Sequence, residues 1–394
     1  MSAYADVTGA LRVSVIGLGQ RMAAVLVALK RAGGNPKIEG YFDPSPAGLE
    51  RLATEGIGPG QQFDRVEQAV NTGSADLIMI ASPNHMHASH MDLALKGSVP
   101  VFVEKPIVRT EQESLEIARR ISNGSIPPLY VGLVMRSAPI VQEVLSIVRE
   151  GTLGDIISID ATEHLPPEHG SYLARNWRRR KEWGGSYLLD KVCHDFDILS
   201  DIAGARPRHV ASFGGRRIFT PDRAADQDSA STAALGLWPG GWAADDDAFN
   251  ITSDVTDHQT ALVQFANGVQ LSFHANSAAA LRERRWYIAG TKGTLMADLV
   301  RNSLMWRRLF DSAPPMRKKF PVSGDDHNGA DIAMATDLLK ALSGTSPFPA
   351  QAWLAIEAGL TVMAIDRAMD ECRIVDLTEM WATLDRVGQN FRHH

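Results

Sequence analysis

The chain has 394 residues, is 44% hydrophobic and 22% charged, and carries a formal charge of −6. That length leads us to expect two domains with the balance of an ordinary soluble globular protein. The acidic excess argues against a nucleic-acid or membrane-surface binder, and no long uncharged apolar run predicts a membrane span.

The opening MSAYADVTGA lacks the basic-then-apolar order of a secretion signal. Cys193 and Cys372 lie far apart and read as free thiols of a cytoplasmic protein. Val13 to Ile16 is a short apolar run with β-branched residues, as in a buried parallel strand. Gly17-Leu18-Gly19 turns tightly, and Met22 to Leu29 is an Ala-rich apolar stretch, read as a helix packed on a sheet. Strand, glycine turn and helix N-terminus make an anion site, with backbone N–H groups and the positive helix end facing a pyrophosphate. The spacing is Gly-x-Gly-x-x-Gly with Met22 in the third glycine's place, which predicts a slightly displaced helix. Gly17, Gly19, Gln20 and Arg21 are thus candidate cofactor contacts. Such turns are common, so the pattern does not decide function by itself.

Ile38 to Phe42 reads as a second strand ending at Asp43, 26 positions beyond Gly17. A dinucleotide fold puts there the acid that holds the adenosine ribose hydroxyls. A carboxylate would repel a 2′-phosphate, so NAD is expected rather than NADP. Asp76 to Ala81 is another strand, followed by Ser82-Pro83-Asn84 and a helix through His87 to Leu95. Val99 to Val103 precedes Glu104-Lys105-Pro106; a helix from about Glu111 to Ile121 and a strand at Leu129 to Leu133 follow. Alternation of this kind means a doubly wound parallel sheet, with ligands outside the carboxyl ends of its strands. We therefore expect a Rossmann domain over 1–135.

Beyond that, Ile156 to Glu163 reads as a strand, Gly184-Gly185 opens a helix from about Ser186 to Ala203, and Val210 to Phe213 is a strand. The stretch from Gly214 to Val255 is loose, and Trp238 to Asp247 within it reads as a solvated loop, a lid or a subunit contact. Gln259 to Phe265 and Val269 to His274 flank Asn267-Gly268, a hairpin signal. Arg285 to Ala289 is a strand before Gly290-Thr291-Lys292-Gly293. Two helices, about Ala330 to Leu342 and Gln351 to Asp370, precede a short strand near Ile374. Strands without intervening helices imply an α+β domain with an antiparallel sheet, assigned here to 136–394.

Two stretches bear chemistry. Lys105 ends a buried strand, and burial together with the charge of an oxidised nicotinamide lowers a lysine pKa toward general acid–base work. The plain alternative is a surface turn with a Glu–Lys pair. In GGSYLLDKVCHDFDIL, Asp190 and His194 are four apart and share a helix face, with Asp197 in reach. A carboxylate one turn from an imidazole orients it for proton shuttling. The alternative is a helix start whose acids favour the dipole and whose histidine is packed. Lys191 is a rival catalyst that pairs naturally with Asp195.

These residues together resemble the Gfo/Idh/MocA family of sugar and polyol oxidoreductases. The marks are Gly17-Leu18-Gly19, Ser82-Pro83-Asn84 with His87, Glu104-Lys105-Pro106, Gly184-Gly185 before Asp190, His194 and Asp197, and Gly290-Thr291-Lys292-Gly293. The resemblance implies a Rossmann domain plus a domain with a large, mostly antiparallel sheet. It implies catalytic roles for Lys105, Asp190 and His194, and places Ser82, Pro83, Asn84, His87 and Glu104 along the cofactor. It also implies that the open sheet face forms a homodimer or homotetramer. Met22 and Val192 depart from the usual glycines.

His85, His87 and His90 are read as packing and helix-start residues, not a metal site. The basic run Arg175 to Lys181 reads by default as a solvated loop, with Trp177 and Arg178 as candidate sugar contacts. His327, in Asp326-His327-Asn328-Gly329, is a further substrate candidate or a simple cap loop. The expected activity is NAD-dependent oxidation of a secondary hydroxyl of a sugar, glycoside or cyclitol. The alternatives are NAD-retaining glycoside cleavage or sugar–sugar hydride exchange by transient oxidation, and a non-catalytic NAD or sugar sensor.

Overall fold

The computed structural model describes residues 9–124, 126–226, 247–249, 252–322, 324–325 and 327–388. The readings that fall wholly or partly outside them are those of the opening ten residues, of the 214–255 stretch with its 238–247 loop, and of Asp326. The chain divides into two compact units, one from 1–138, 323–359 and 384–394, the other from 139–322 and 360–383.

The first unit holds a six-stranded parallel sheet in the order β3-β2-β1-β4-β5-β6. Its strands are β1 (Leu11–Ile16), β2 (Pro36–Phe42), β3 (Gln61–Gln62), β4 (Leu77–Ile80), β5 (Val101–Val103) and β6 (Leu129–Val131). The apolar runs of β1, β4 and β5 are buried at nearly every position, as a sheet covered on both faces requires. Helices α1 (Gln20–Arg31), α2 (Leu49–Thr54), α3 (Val66–Val70), α4 (Asn84–Ala94) and α5 (Glu111–Ser122) connect them. A capping box starts α5: Glu113 N–H donates to the Thr110 hydroxyl, and the Glu113 carboxylate accepts the Thr110 N–H. Met22 is fully buried.

The second unit begins with α6 (Pro139–Arg149), a helix absent from the sequence expectation. Its sheet has nine strands in the order β14-β13-β12-β11-β7-β10-β9-β8-β15. These are β7 (Ile156–His164), β8 (Pro207–Gly215), β9 (His258–Phe265), β10 (Gln270–Asn276), β11 (Glu283–Gly290), β12 (Gly293–Asp298), β13 (Ser303–Arg308), β14 (Met316–Lys319) and β15 (Val375–Asp376). Every pair is antiparallel except β7 with β10. The β9–β10 hairpin closes at Asn267-Gly268 as expected, with Gly268 at φ 92°. Alternation splits the sheet into two faces. Leu271, Ile159, Ile288 and Leu295 are buried, whereas Phe213, Leu262 and Tyr287 stand exposed on the other face.

Short helices α7 (Pro167–Gly170) and α8 (Lys181–Gly184) lead into α9 (Tyr187–Ala203). Ser186 caps α9 by accepting the Leu189 N–H, and Gly204 ends it in the left-handed region. Helix α10 (Ala330–Leu342) follows, then α11 (Ala352–Asp370) and α12 (Thr378–Val387).

The compact units do not follow the 136–394 boundary. Residues 323–359 belong with the first unit, because α10 packs along α1 and the Leu339 side chain fills the space beside Gly34. Among the described residues no helix is long and apolar enough to cross a membrane.

Candidate functional site

In the first unit the candidate residues collect at one sheet edge. Gly17, Asp43, Ser82 and Glu104-Lys105 follow the carboxyl ends of β1, β2, β4 and β5, which are neighbours in parallel register. Backbone bonds stitch this edge: Gly17 N–H donates to Phe42 O, Ala81 N–H to Ile16 O, and Glu104 N–H to Ile80 O.

Gly17 lies at φ 86°, and a Cβ there would sit 2.4 Å from the Ser82 backbone nitrogen. Only glycine fits that position. Nothing lies within 4 Å of where a Cβ of Gly19 would be. Helix α1 starts at Gly19 with no side-chain cap and no acid in its first turn. Its positive end is therefore left to a ligand, and these residues fit a dinucleotide phosphate. Asp43 accepts N–H bonds from Leu18 (2.6 Å) and Ser45 (2.7 Å), so it fixes the glycine turn. Burial pushes its carboxyl up, and the two amides pull it down. Each carboxylate oxygen keeps a second lone pair's direction for a ribose hydroxyl's proton.

Several expected cofactor contacts are engaged elsewhere. The Gln20 amide donates to Ala47 O at 2.6 Å. Arg21 donates from Nε to Glu104 Oε1 at 2.8 Å and from Nη1 to Asp331 Oδ1 at 2.5 Å. His87 is buried, with Nδ1 2.8 Å from Pro106 O and Nε2 2.8 Å from Ser82 O. It thus ties the β4–α4 turn to the Lys105-Pro106 turn, whose peptide bond is cis. His90 Nδ1 lies 2.9 Å from the Ser82 hydroxyl; burial, then His87 and His85, push its ring down to about 4. Pro83 holds the N-cap position of α4, and Asn84 opens that helix in a buried position. Lys105 is half-buried. His327 Nδ1 lies 2.9 Å from Asp331 Oδ2 at the start of α10.

In the second unit α9 presents two polar faces. Asp190 and His194 share one, and both are buried. Asp190 Oδ2 accepts the Tyr172 hydroxyl at 3.0 Å, and Arg178 Nε stands 3.7 Å away. The Arg178 guanidinium lies over the rings of Trp177 (4.1 Å) and Tyr172 (4.9 Å). Burial and the Asp190 charge hold the Tyr172 phenol well above its usual range. Tyr172 is the residue that the sequence reading missed. Its only signal was an aromatic just ahead of the basic run.

That run is not a solvated loop. Arg175, Asn176 and Trp177 are buried, and Arg178 is only half-buried, because the segment folds back over α9's first turns through Tyr172 and Asp190. The other face of α9 carries Lys191 and Asp195. Asp195 does not depend on Lys191 for its countercharge: Arg284 grips it with two bonds, Nε at 3.0 Å and Nη2 at 2.6 Å. Arg284 Nε also reaches Glu163 at 3.2 Å, and Lys191 Nζ lies 3.0 Å from His169 Nε2.

Asp257 is a backbone clamp. Its carboxylate accepts the N–H groups of Arg217, Ile218 and Phe219, and lies 2.8 Å from His258 Nδ1. Neither Cys193 nor Cys372 is in a disulfide.

Residues 11–124 match the family model described as "Oxidoreductase family, NAD-binding Rossmann fold", and residues 141–296 match the GFO/IDH/MocA C-terminal domain. Inositol 2-dehydrogenase of Corynebacterium glutamicum is 26% identical over 196 residues, 50% of this chain and 55% of that protein. The 2,7-anhydro-N-acetylneuraminate hydratase of Escherichia coli is 22% identical over 285 residues, 72% of this chain and 67% of that one. The match to the inositol 2-dehydrogenase thus spans about half that relative's length. Among solved structures, a levoglucosan dehydrogenase in complex with NADH and levoglucosan superposes with a TM-score of 0.76 at 20% identity, covering 94% of this chain and all of that one.

Proposed function

From a chain that belongs to the Gfo/Idh/MocA oxidoreductase family, we propose an NAD-dependent dehydrogenase acting on a secondary hydroxyl of a sugar, glycoside or cyclitol. The observation that carries it is the shared edge of β2, β1, β4 and β5, where an acid after β2, a glycine turn after β1 and a lysine after β5 stand in that order. The named activities of the inositol and levoglucosan dehydrogenases support the substrate class.

Gly17, Gly19 and the N-terminus of α1 would hold the pyrophosphate of NAD, and Asp43 the adenosine ribose. Asp43 also favours NAD over NADP, because a 2′-phosphate there would meet a carboxylate. NAD, when bound, supplies the hydride acceptor. Ser82, Pro83, Asn84 and His87 shape the turn beside Lys105. Lys105 and His194 handle the proton of the substrate hydroxyl, and Asp190, held by Tyr172 and Arg178, orients His194 and the substrate. Trp177, Arg178 and His327 are the remaining substrate contacts in this reading. General acid–base groups of this kind each contribute about 10²–10⁴-fold. The exposed row of Phe213, Leu262 and Tyr287 supports self-association as a homodimer or homotetramer, and thiols outside any disulfide support a cytoplasmic location.

The test is a panel of sugars, uronates, inositols and glycosides with NAD and NADP in parallel, read at the nicotinamide absorbance. Lys105→Met and His194→Ala are expected to lose turnover by about 100-fold or more, with NAD affinity within a few-fold. Near-normal turnover in both variants would refute the assignment. A second reading, transient oxidation on a retained NAD without net NADH, is favoured by the hydratase relative. Product formed from a glycoside without any absorbance change would select it.

A further inference from the structure

Arg21 follows the glycine turn, where a cofactor contact is the obvious role. Its guanidinium instead bridges two carboxylates from distant parts of the first unit. Nε bonds Glu104 Oε1 and Nη1 bonds Asp331 Oδ1, at 2.8 and 2.5 Å. The bonds continue on both sides. Glu104 Oε2 accepts the backbone N–H of Lys105 at 3.3 Å. Asp331 Oδ2 meets His327 Nδ1 at 2.9 Å. One unbroken chain thus runs His327–Asp331–Arg21–Glu104–Lys105.

The two acids are 5% and 2% exposed, so each needs a partner, and one planar fork serves both. The Glu104 carboxyl also packs against Gly132, where a Cβ would come within 2.9 Å of it. Burial opposes the Arg21 charge, but Glu104 and Asp331 more than offset it and keep it protonated. Burial pushes Asp331 up, yet Arg21 and His327 hold it well below the usual carboxylate range. Among the described residues, Asp325 on the same loop accepts the His327 N–H and Asp331 in the first turn of α10 meets its ring, while Arg21 from α1 and Glu104 from the end of β5 follow through Asp331.

We propose that Arg21 is a positioning residue that holds the Lys105 turn and the His327 imidazole as one charged unit. Its catalytic consequence rests on the dehydrogenase reading above; its structural consequence does not. The rival role is direct contact with NAD, for which Nη2, buried and without a partner among the described residues, would be the donor.

The experiment uses the full chain with Arg21→Met and Arg21→Lys. NAD affinity is measured by titration, turnover on the substrate found above, and the His327 midpoint by NMR of histidine-labelled protein assigned with His327→Asn. In R21M a cation is lost while both carboxylates stay, so the His327 midpoint should rise by at least about 0.5 pH unit. Its kcat should fall about 10- to 100-fold through misplacement of Lys105, with the NAD Kd within about threefold. R21K should return the midpoint toward wild type while restoring kcat only in part, because an ammonium cannot fork. An unmoved His327 midpoint in R21M, or an NAD Kd weakened about tenfold or more at unchanged kcat, overturns the proposal. A moved midpoint in a protein that turns over no substrate leaves the strut standing and removes the dehydrogenase reading alone. Should R21M not fold, R21K decides: lowered kcat at normal NAD affinity supports the strut, and weakened NAD affinity at normal kcat defeats it.

Discussion

Each unit contains an arginine gripping two acidic side chains, and the pair makes a natural comparison. In the second unit Arg284 holds Asp195 and Glu163, with side chains 10%, 0% and 5% exposed. In the first, Arg21 holds Glu104 and Asp331, but is itself 25% exposed. Each cluster also has a second basic neighbour. At Arg284 it is Lys191, whose charge acts on Glu163. At Arg21 it is His327. The buried cluster bolts α9 to β7 and β11, and is structural. The other is more open, ends in an imidazole, and touches the turn that carries Lys105. The same charge arrangement thus serves cohesion in one place and placement in the other; exposure and neighbours decide which.

Removing the arginines should break that symmetry most sharply. Arg284→Met strands two buried carboxylates and is expected to cost about 3–5 kcal/mol of stability in denaturant unfolding. Arg21→Met should cost visibly less in the same assay, and equal losses would erase the distinction. The next effect concerns Asp190, which accepts the Tyr172 phenol with Arg178 Nε 3.7 Å away. Tyr172→Phe removes a bond to a charged group, about 1.5–3 kcal/mol. We expect it to appear in kcat more than in the unfolding midpoint; the reverse pattern would make Tyr172 a mere packing residue.

The smallest effect comes from an acid satisfied mainly by neutral donors. Asp366 on α11 accepts from Ser186 and from Gln259 Nε2 (3.1 Å), and burial pushes it up to about 6. A carboxyl whose folded pKa is raised binds its proton more tightly in the native state. Its contribution is therefore favourable at low pH and is lost as pH rises from about 4 to about 6. Asp366→Asn should be more stable than the parent above pH 6 by about 1–3 kcal/mol, the gap closing below pH 4. A gap independent of pH would assign the effect to packing.

Much of the architecture was legible because it depends on short-range pattern. The buried parallel strands announce themselves as apolar runs, and the β9–β10 hairpin through Asn267-Gly268. What escaped was weaker or non-local. Strands β12 and β13 are short, with few fully buried positions, and β14 is exposed throughout. Helix α6 starts on a proline, which reads as a break in the chain, although its buried face is apolar. The site was half legible. Spacing picked out Asp190 with His194, and the strand end picked out Lys105. No local pattern joins Arg21 to Asp331 across 310 positions, or tells a buried Arg175 from a solvated one. Those depend on which chain segments meet, which hydropathy along the sequence does not encode.

Gly132 shows what such meetings imply for tolerance to change. It carries no functional group and begins no motif. Yet even alanine there must displace the Glu104 carboxyl, the flexible tip of a side chain that ordinarily would swing aside at little cost. Here the tip is pinned by the guanidinium, so the intruding methyl has nowhere to send it. A position that looks silent in the text of the chain should therefore be as unforgiving in a saturation scan as the glutamate it stands behind.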